Sequence, residues 1–169
     1  KISSSGVWQW AVTGGGSSNH DESYSIALLS DGSSVITGFI SSSSCTFGTT
    51  TITSGNGDEN IFVAKITSSG TWDWIRTVSG DTHTRSERGY GITSFSDNSM
   101  IITGYYKSVN ITFGATQISN GGSNKEETFV AKLNSTGHWQ WATRMAGSNI
   151  NIGRKIASLS DGSAIVMGN

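Results

Sequence analysis

The sequence predicts an all-β protein built from one four-stranded antiparallel unit that recurs about every 65 residues. Three observations carry this. The six Trp come as three Trp-x-Trp pairs, Trp8/Trp10, Trp72/Trp74 and Trp139/Trp141, spaced 64 and 67 residues apart. Ser30-Asp31-Gly32-Ser33, Ser96-Asp97-Asn98-Ser99 and Ser160-Asp161-Gly162-Ser163 recur after 66 and 64 residues. Between these markers, β-branched and aromatic runs alternate with Gly, Ser and Asn turns; there are 22 Gly and no Pro, and no window carries a helical period.

Taken in order, residues 1–22 are expected to hold the last strand of a unit, over 7–13, and a connecting loop. A full unit follows over 23–79. A second, with its leading loop, covers 80–146, and the first two strands of a further unit cover 147–169. Strand one reads over 24–29, 90–95 and 155–159. Its first copy has apolar residues on both parities (Ile26 and Leu28 against Ala27 and Leu29), so it is expected to be buried on both sides. Asp31-Gly32 then signals a two-residue hairpin turn, with Asp97-Asn98 a weaker form. Strand two reads over 34–40, 99–106 and 164–168; Gly38 and Gly104 inside it mark a bulge or a close backbone approach.

Long polar segments follow over 41–60 and 107–127. Each holds a short strand-like piece, 46–53 or 112–119, which takes up the excess over an ordinary blade repeat of roughly 40–50 residues. Strand three reads over 61–66 and 128–133. Strand four reads over 71–78 and 138–144 and carries the Trp pair. Residues i and i+2 of a strand share a face, so each Trp pair is expected to point one way, into a core between units.

Composition narrows the partners. The net charge is −1 and only 14% of residues are charged, which gives no electrostatic basis for nucleic acid or an anionic membrane. No apolar run nears the roughly 20 residues that span a bilayer. The lone Cys45 excludes an internal disulfide framework. The chain begins mid-repeat, so its true N-terminus is expected elsewhere.

A single meander cannot bury both faces, and radial stacking of such units is the logic of a β-propeller. The chain supplies about two and a half blades, and even small propellers need about four. It is therefore expected to form an incomplete ring, with other blades of the same polypeptide or further copies of the chain as partners. Tyr90-Gly91-Ile92-Thr93, Ile102-Thr103-Gly104-Tyr105, Ser160-Asp161-Gly162-Ser163, and Phe62-Val63-Ala64-Lys65 leading to Trp72, resemble the bacterial SBBP-type β-propeller repeat family. The resemblance covers essentially the whole chain and rests on structural motifs. It implies a propeller in a large exported or surface protein, hence an extracellular or cell-surface location, and no general catalytic residues.

Candidate sites follow from the same layout. Trp8, Trp10, Trp72, Trp74, Trp139 and Trp141 are expected to be structural core. The turn before each pair resembles the Asp-box of sialidase-type propellers, but with Ser5, Ser69 and Thr136 at the Asp position. Asp31, Asp97 and Asp161 sit at hairpin tips, where one carboxylate falls short of the 6–8 oxygens calcium needs. His20, His83 and His138 lack metal-site spacing, and no nucleophile elbow or P-loop occurs. No enzyme activity, cofactor or metal site is expected. Asn110 and Asn134 open glycosylation sequons.

Turns one–two and three–four of each meander lie at one edge, and the long connections lie at the other. Recognition commonly uses such loops. The long-loop edge is thus the expected binding face, through Asn19, His20, Asp21, Glu22, Asp81, His83, Arg85, Glu87, Arg88 and Tyr106. The function expected is a non-catalytic scaffold or protein-interaction module. The alternatives are a carbohydrate-binding propeller, or part of an enzyme completed by blades outside this chain.

Overall fold

The computed structural model describes residues 1–18, 20–53, 57–81, 86–122, 125–145, 147 and 150–169. Among them every regular element is a strand: β1 (Gly14–Gly15), β2 (Asp21–Leu28), β3 (Ser34–Ile40), β4 (Ser44–Phe47), β5 (Thr50–Thr53), β6 (Asn60–Ile66), β7 (Trp72–Val78), β8 (Glu87–Ser94), β9 (Met100–Tyr106), β10 (Asn110–Phe113), β11 (Thr116–Ser119), β12 (Glu127–Leu133), β13 (Trp139–Met145), β14 (Gly153–Ser158) and β15 (Ala164–Gly168). Two four-stranded antiparallel sheets form in chain order, β2-β3-β6-β7 and β8-β9-β12-β13, followed by the hairpin β14-β15.

The tight turns explain why each sheet is a meander. Leu29 N–H donates to Ser33 O and Phe95 N–H to Ser99 O, both at 2.9 Å, as does Leu159 N–H to Ser163 O at 2.8 Å. The loop therefore holds three residues, not the two that Asp-Gly suggests. Its last residue is left-handed: Gly32, Asn98 and Gly162 have φ of +77°, +61° and +85°, a conformation that glycine and asparagine tolerate best. The carboxylates of Asp31, Asp97 and Asp161 each accept the amide and hydroxyl of the Ser two residues on. They serve the turn itself.

The close approach expected at Gly38 and Gly104 is shared between two strands. The bulge lies in strand one, where the register shifts across Ser23/Ser25, Gly89/Gly91 and Gly153/Lys155. Tyr24, Tyr90 and Arg154 are the extra residues. Opposite them, a Cβ on Gly38 would lie 1.8 Å from Glu22 O, and one on Gly104 1.9 Å from Arg88 O.

The 65-residue period exceeds an ordinary blade because each long connection folds into an added hairpin, β4-β5 or β10-β11. Phe47 packs edge-on against Trp72 with centroids 4.9 Å apart, and Phe113 against Trp139 at 5.0 Å. Each hairpin also pairs with the segment that leads into the same sheet: β4 with β1, and Ile111 with Gly80.

The two sheets and the final hairpin pack face to face, with β8 lying against β2, β3, β6 and β14. One core runs between the sheets and includes Val35, Ile61, Val63 and Val78 of the first and Ile92, Ile102, Phe129 and Leu133 of the second. A second cluster, with Ile40, Phe62 and Ala64, covers the other face of the first sheet.

Three expectations change here. Residues 7–13 form no ladder; only Ile2 bridges Trp8, and Gln9 N–H reaches Lys1 O at 2.9 Å. Strand one is buried on both faces in the middle sheet, but β2 and β14 each leave one face open. Their outer sides have no neighbouring sheet.

The Trp pairs do not share a face. Lys65 pairs with Trp74 and Ile66 with Trp72, so Asp73 is a bulge residue; Gln140 repeats this between Trp139 and Trp141. An extra residue inverts the alternation. Trp72 joins the outer cluster of the first sheet, while Trp74 packs in the core between the sheets. Trp139 faces that same inter-sheet core from the other side. Trp10 lies over Gly70 as Trp74 lies over Gly137. Trp8 and Trp141, expected in the core, are exposed, because the faces they serve have no neighbour.

Candidate functional site

The long-loop edge is built first by two latches. Strand one begins with an acidic residue, Asp21 in β2 and Glu87 in β8. Asp21 accepts the amides of Gly16 at 2.7 Å, Ser41 at 2.9 Å and Ser42 at 3.1 Å. It thereby closes the loop before strand one onto the connection after strand two. Burial works to raise its pKa, but these three amides outweigh it and hold the carboxyl below its usual range. Glu87 does the same job when it accepts the Ser108 hydroxyl at 2.5 Å and the Ser108 amide at 3.3 Å. Glu87 is buried, and that burial pushes its pKa up to about 7, against the Ser108 and Gly80 hydrogen bonds and with Asp58 adding to the rise.

Asp21 and Glu87 were expected as surface binding residues; Glu87 is buried as a latch, while Asp21 is half-buried and latches the loops from the wall of a cleft. The raised Glu87 pKa has a pH consequence. The folded state holds this proton more tightly than the unfolded chain does. The stabilisation is complete below the ordinary carboxyl pKa and is lost as pH rises through about 7. Glu87→Gln keeps an acceptor for Ser108 without a charge. The stability of the variant relative to the native chain is expected to grow from about pH 5 to about pH 8 in urea titrations, then level off. A flat difference across that range would refute the assignment.

Beside the latches, an aromatic and charged cluster forms around Phe39. The Arg88 guanidinium lies 4.4 Å from the Phe39 ring centroid and pairs with both oxygens of Glu59. Burial works to raise the Glu59 carboxyl, and Arg88 and Ser86 outweigh it. Arg88 Nη1 also donates to Tyr24 Oη at 3.3 Å. Tyr24 stacks on Tyr90 at 4.8 Å, Tyr90 meets Tyr105 at 5.8 Å, and Arg154 covers Tyr90 at 4.7 Å. His20 meets the edge of Phe39 at 5.8 Å and pairs with Glu22 at 2.8 Å. Burial pushes Tyr24 up to about 12, with Glu22 adding to the rise and Arg88 opposing it.

Of the residues expected at this edge, His20, Glu22 and Arg88 thus converge. Asp81 instead holds the Asn110 amide at 3.1 Å and its side chain at 2.7 Å, which also engages the sequon nitrogen. Tyr106, expected as a long-loop aromatic, is fully buried in the core between the sheets. Strand two carries it inward at the position that Ile40 holds in the first sheet. Its hydroxyl makes no hydrogen bond of normal geometry among the described residues, although the Arg144 side chain lies within electrostatic reach of it. Tyr106→Phe is therefore expected to raise stability by about 1 kcal/mol, readable as a higher urea midpoint; a loss would show that the hydroxyl is used. Asn19, His83 and Arg85 lie outside the described residues.

Sequence reasoning passed over Tyr24, Tyr90, Tyr105, Glu59 and Arg154. A signal was present for two of them: Tyr24 and Tyr90 stand 66 residues apart, one before each strand-one Ser-Ile or Gly-Ile step. A cleft of about 660 Å³ adjoins this cluster, lined by Gly14, Gly15, Gly16, His20, Asp21 and Thr46 among others. Among the described residues no three His, Cys, Asp or Glu side chains are grouped to hold a metal ion. No family model matches the chain, and no curated protein matches it.

Proposed function

We propose that the chain is a run of β-propeller blades acting as a non-catalytic, extracellular or cell-surface scaffold, with the long-loop edge as the surface for a protein partner. One observation carries the blade reading: the junction between consecutive units repeats. Ser94 Oγ donates to Leu28 O at 2.6 Å, and Ser158 Oγ to Ser94 O at 2.8 Å. Gly89 fits against Thr37 as Gly153 fits against Thr103. Applying one rotation repeatedly between meanders sets their first strands around a common axis, which is how blades are arranged. The location follows from the SBBP-type resemblance.

Small-angle scattering of the chain tests the blade reading. A curved wedge is expected, and a straight stack would reject it. The cluster around Tyr24 and Phe39 favours carbohydrate binding as a second reading, since an aromatic ring beside Arg, His and Glu groups suits a sugar. A glycan array separates the two. The scaffold reading expects no glycan signal; a signal lost in Tyr24→Ala and kept in Tyr106→Phe would favour the lectin reading.

A further inference from the structure

Consecutive units meet twice within the chain, and the two junctions differ at their tight-turn edge. At the first, the Asn98 carboxamide crosses from the second unit to the first. Its Oδ1 accepts the Ser30 amide and its Nδ2 donates to the Ser30 hydroxyl, both at 2.8 Å. At the second junction Gly162 stands in place of Asn98, and Ser96 in place of Ser30. The backbone is left-handed at both turns, with φ of +61° at Asn98 and +85° at Gly162. Gly162 has no side chain to send across, and a Cβ built on it would meet no atom within 4 Å.

A cleft of about 540 Å³ opens at this place, walled by Phe95, Ser96, Asp97, Lys132, Asp161 and Gly162 among others. A wider gap between units does not explain it. Ser158 Oγ donates to Ser94 O at 2.8 Å, much as Ser94 Oγ donates to Leu28 O at 2.6 Å. Nor is it an outer face of the stack. Both turns that wall it are present, and at the first junction that same turn supplies the side chain that crosses. The cation beside it has also changed. Lys65 of the first unit is held by Asp31 at 3.5 Å and Asp73 at 3.3 Å. In the second unit Gln140 replaces Asp73 and Phe95 replaces Leu29, and the Lys132 ammonium lies 4.7 Å from the centroid of the Phe95 ring.

The cleft thus offers an amide donor and a hydroxyl side by side on the exposed Ser96, with an ammonium nearby. These groups discriminate between ligands. A carboxylate can accept from all three, but the carboxylates of Asp97 and Asp161 line the same cleft and repel it. An ammonium or guanidinium has no lone pair for the Ser96 amide and meets Lys132. A secondary amide in its ordinary trans form points its C=O and N–H in opposite directions, so it cannot engage both Ser96 groups. A primary carboxamide carries its oxygen and an N–H on the same side, without charge. That is the group Asn98 brings to Ser30.

We propose that this junction is a docking notch for a primary carboxamide, the Asn or Gln side chain of a protein partner, which bonds Ser96 from outside as Asn98 bonds Ser30 from within. The carboxamide fills only part of the cleft and leaves room for the peptide segment that carries it. The notch lies at the tight-turn edge, apart from the long-loop edge, so its failure leaves the function proposed above standing.

Nuclear magnetic resonance of the ¹⁵N-labelled chain tests it, with acetyl-Gly-Gln-Gly-N-methylamide as the probe. The Ser96 amide signal is expected to shift and saturate with a Kd on the order of 1 mM. Peptides with Glu or Leu in place of Gln, and acetamide alone, should bind at least about tenfold more weakly. In Gly162→Asn the new side chain occupies the notch. The Ser96 signal should then shift without peptide and no longer respond to it, while the circular dichroism spectrum is unchanged. If Gly162→Asn fails to fold, Ser96→Ala keeps the amide and removes the hydroxyl, and it should weaken binding at least about fivefold. A native chain that ignores the Gln peptide, equal binding of the Glu peptide or of acetamide, or an undiminished response in the folded variant would overturn the proposal.

Discussion

Replacing Phe129 by Ala is expected to lower the free energy of unfolding by about 3–5 kcal/mol, the range for deleting a large aromatic from a packed core. Phe129 is wholly buried on β12, in the cluster that holds the two sheets together. Its ring lies 5.1 Å from Phe113, which in turn meets Trp139 at 5.0 Å. Removing it opens a void lined by both sheets and by the added hairpin, and none of these can move in alone. Phe62 holds the same place in the first sheet, but it borders the open cleft at the end of the stack. Phe62→Ala should therefore cost less, because solvent can reach the space it leaves. Urea denaturation of the two variants side by side measures this. Equal losses would mean that the end face is as closed as the internal one.

That comparison shows what was legible in the sequence. The period, the order of strands and the division into tight and long edges could be read from Trp, Asp and Gly spacing. They depend on local turn chemistry and on alternation, which are written residue by residue. The facing of the Trp pairs could not. Asp73 and Gln140 are ordinary strand residues, and only the ladder reveals that each is bulged. The long-loop edge was legible as topology, but which of its residues face outward was not. Asp21 and Glu87 read as binding-face residues, yet their partners Ser41 and Ser108 lie about 20 residues on, brought close by the turn of the sheet. Tyr106 and Ile40 share a position, and only the packing shows that a Tyr there is core.

Gly104→Ala is expected to be nearly as damaging as the loss of Phe129, costing about 3 kcal/mol, at the upper end for overpacking. A Cβ at residue 104 would meet two obstacles: Arg88 O at 1.9 Å and Phe129 Cε1 at 2.9 Å. They differ in kind. The Phe129 ring can swing by a few tenths of an ångström. The Arg88 carbonyl cannot, because the bulge at Tyr90 sets it, and Arg88 is itself held by Glu59 and stacked on Phe39. The Cβ can be accommodated only by lifting strand one from strand two, which disrupts the ladder and the cluster at the long-loop edge. A double-mutant cycle separates the two obstacles. If the backbone decides, Gly104→Ala should cost nearly as much in the Phe129→Ala background as in the native one. If Phe129→Ala instead rescues Gly104→Ala, the ring was the obstacle, and the bulge is softer than its close approach implies. The same logic applies at Gly38, where the nearest atoms to a Cβ are Glu22 O at 1.8 Å and Ser23 Cα at 2.8 Å. The three nearest atoms there are all backbone, so no side-chain truncation is expected to rescue Gly38→Ala in full.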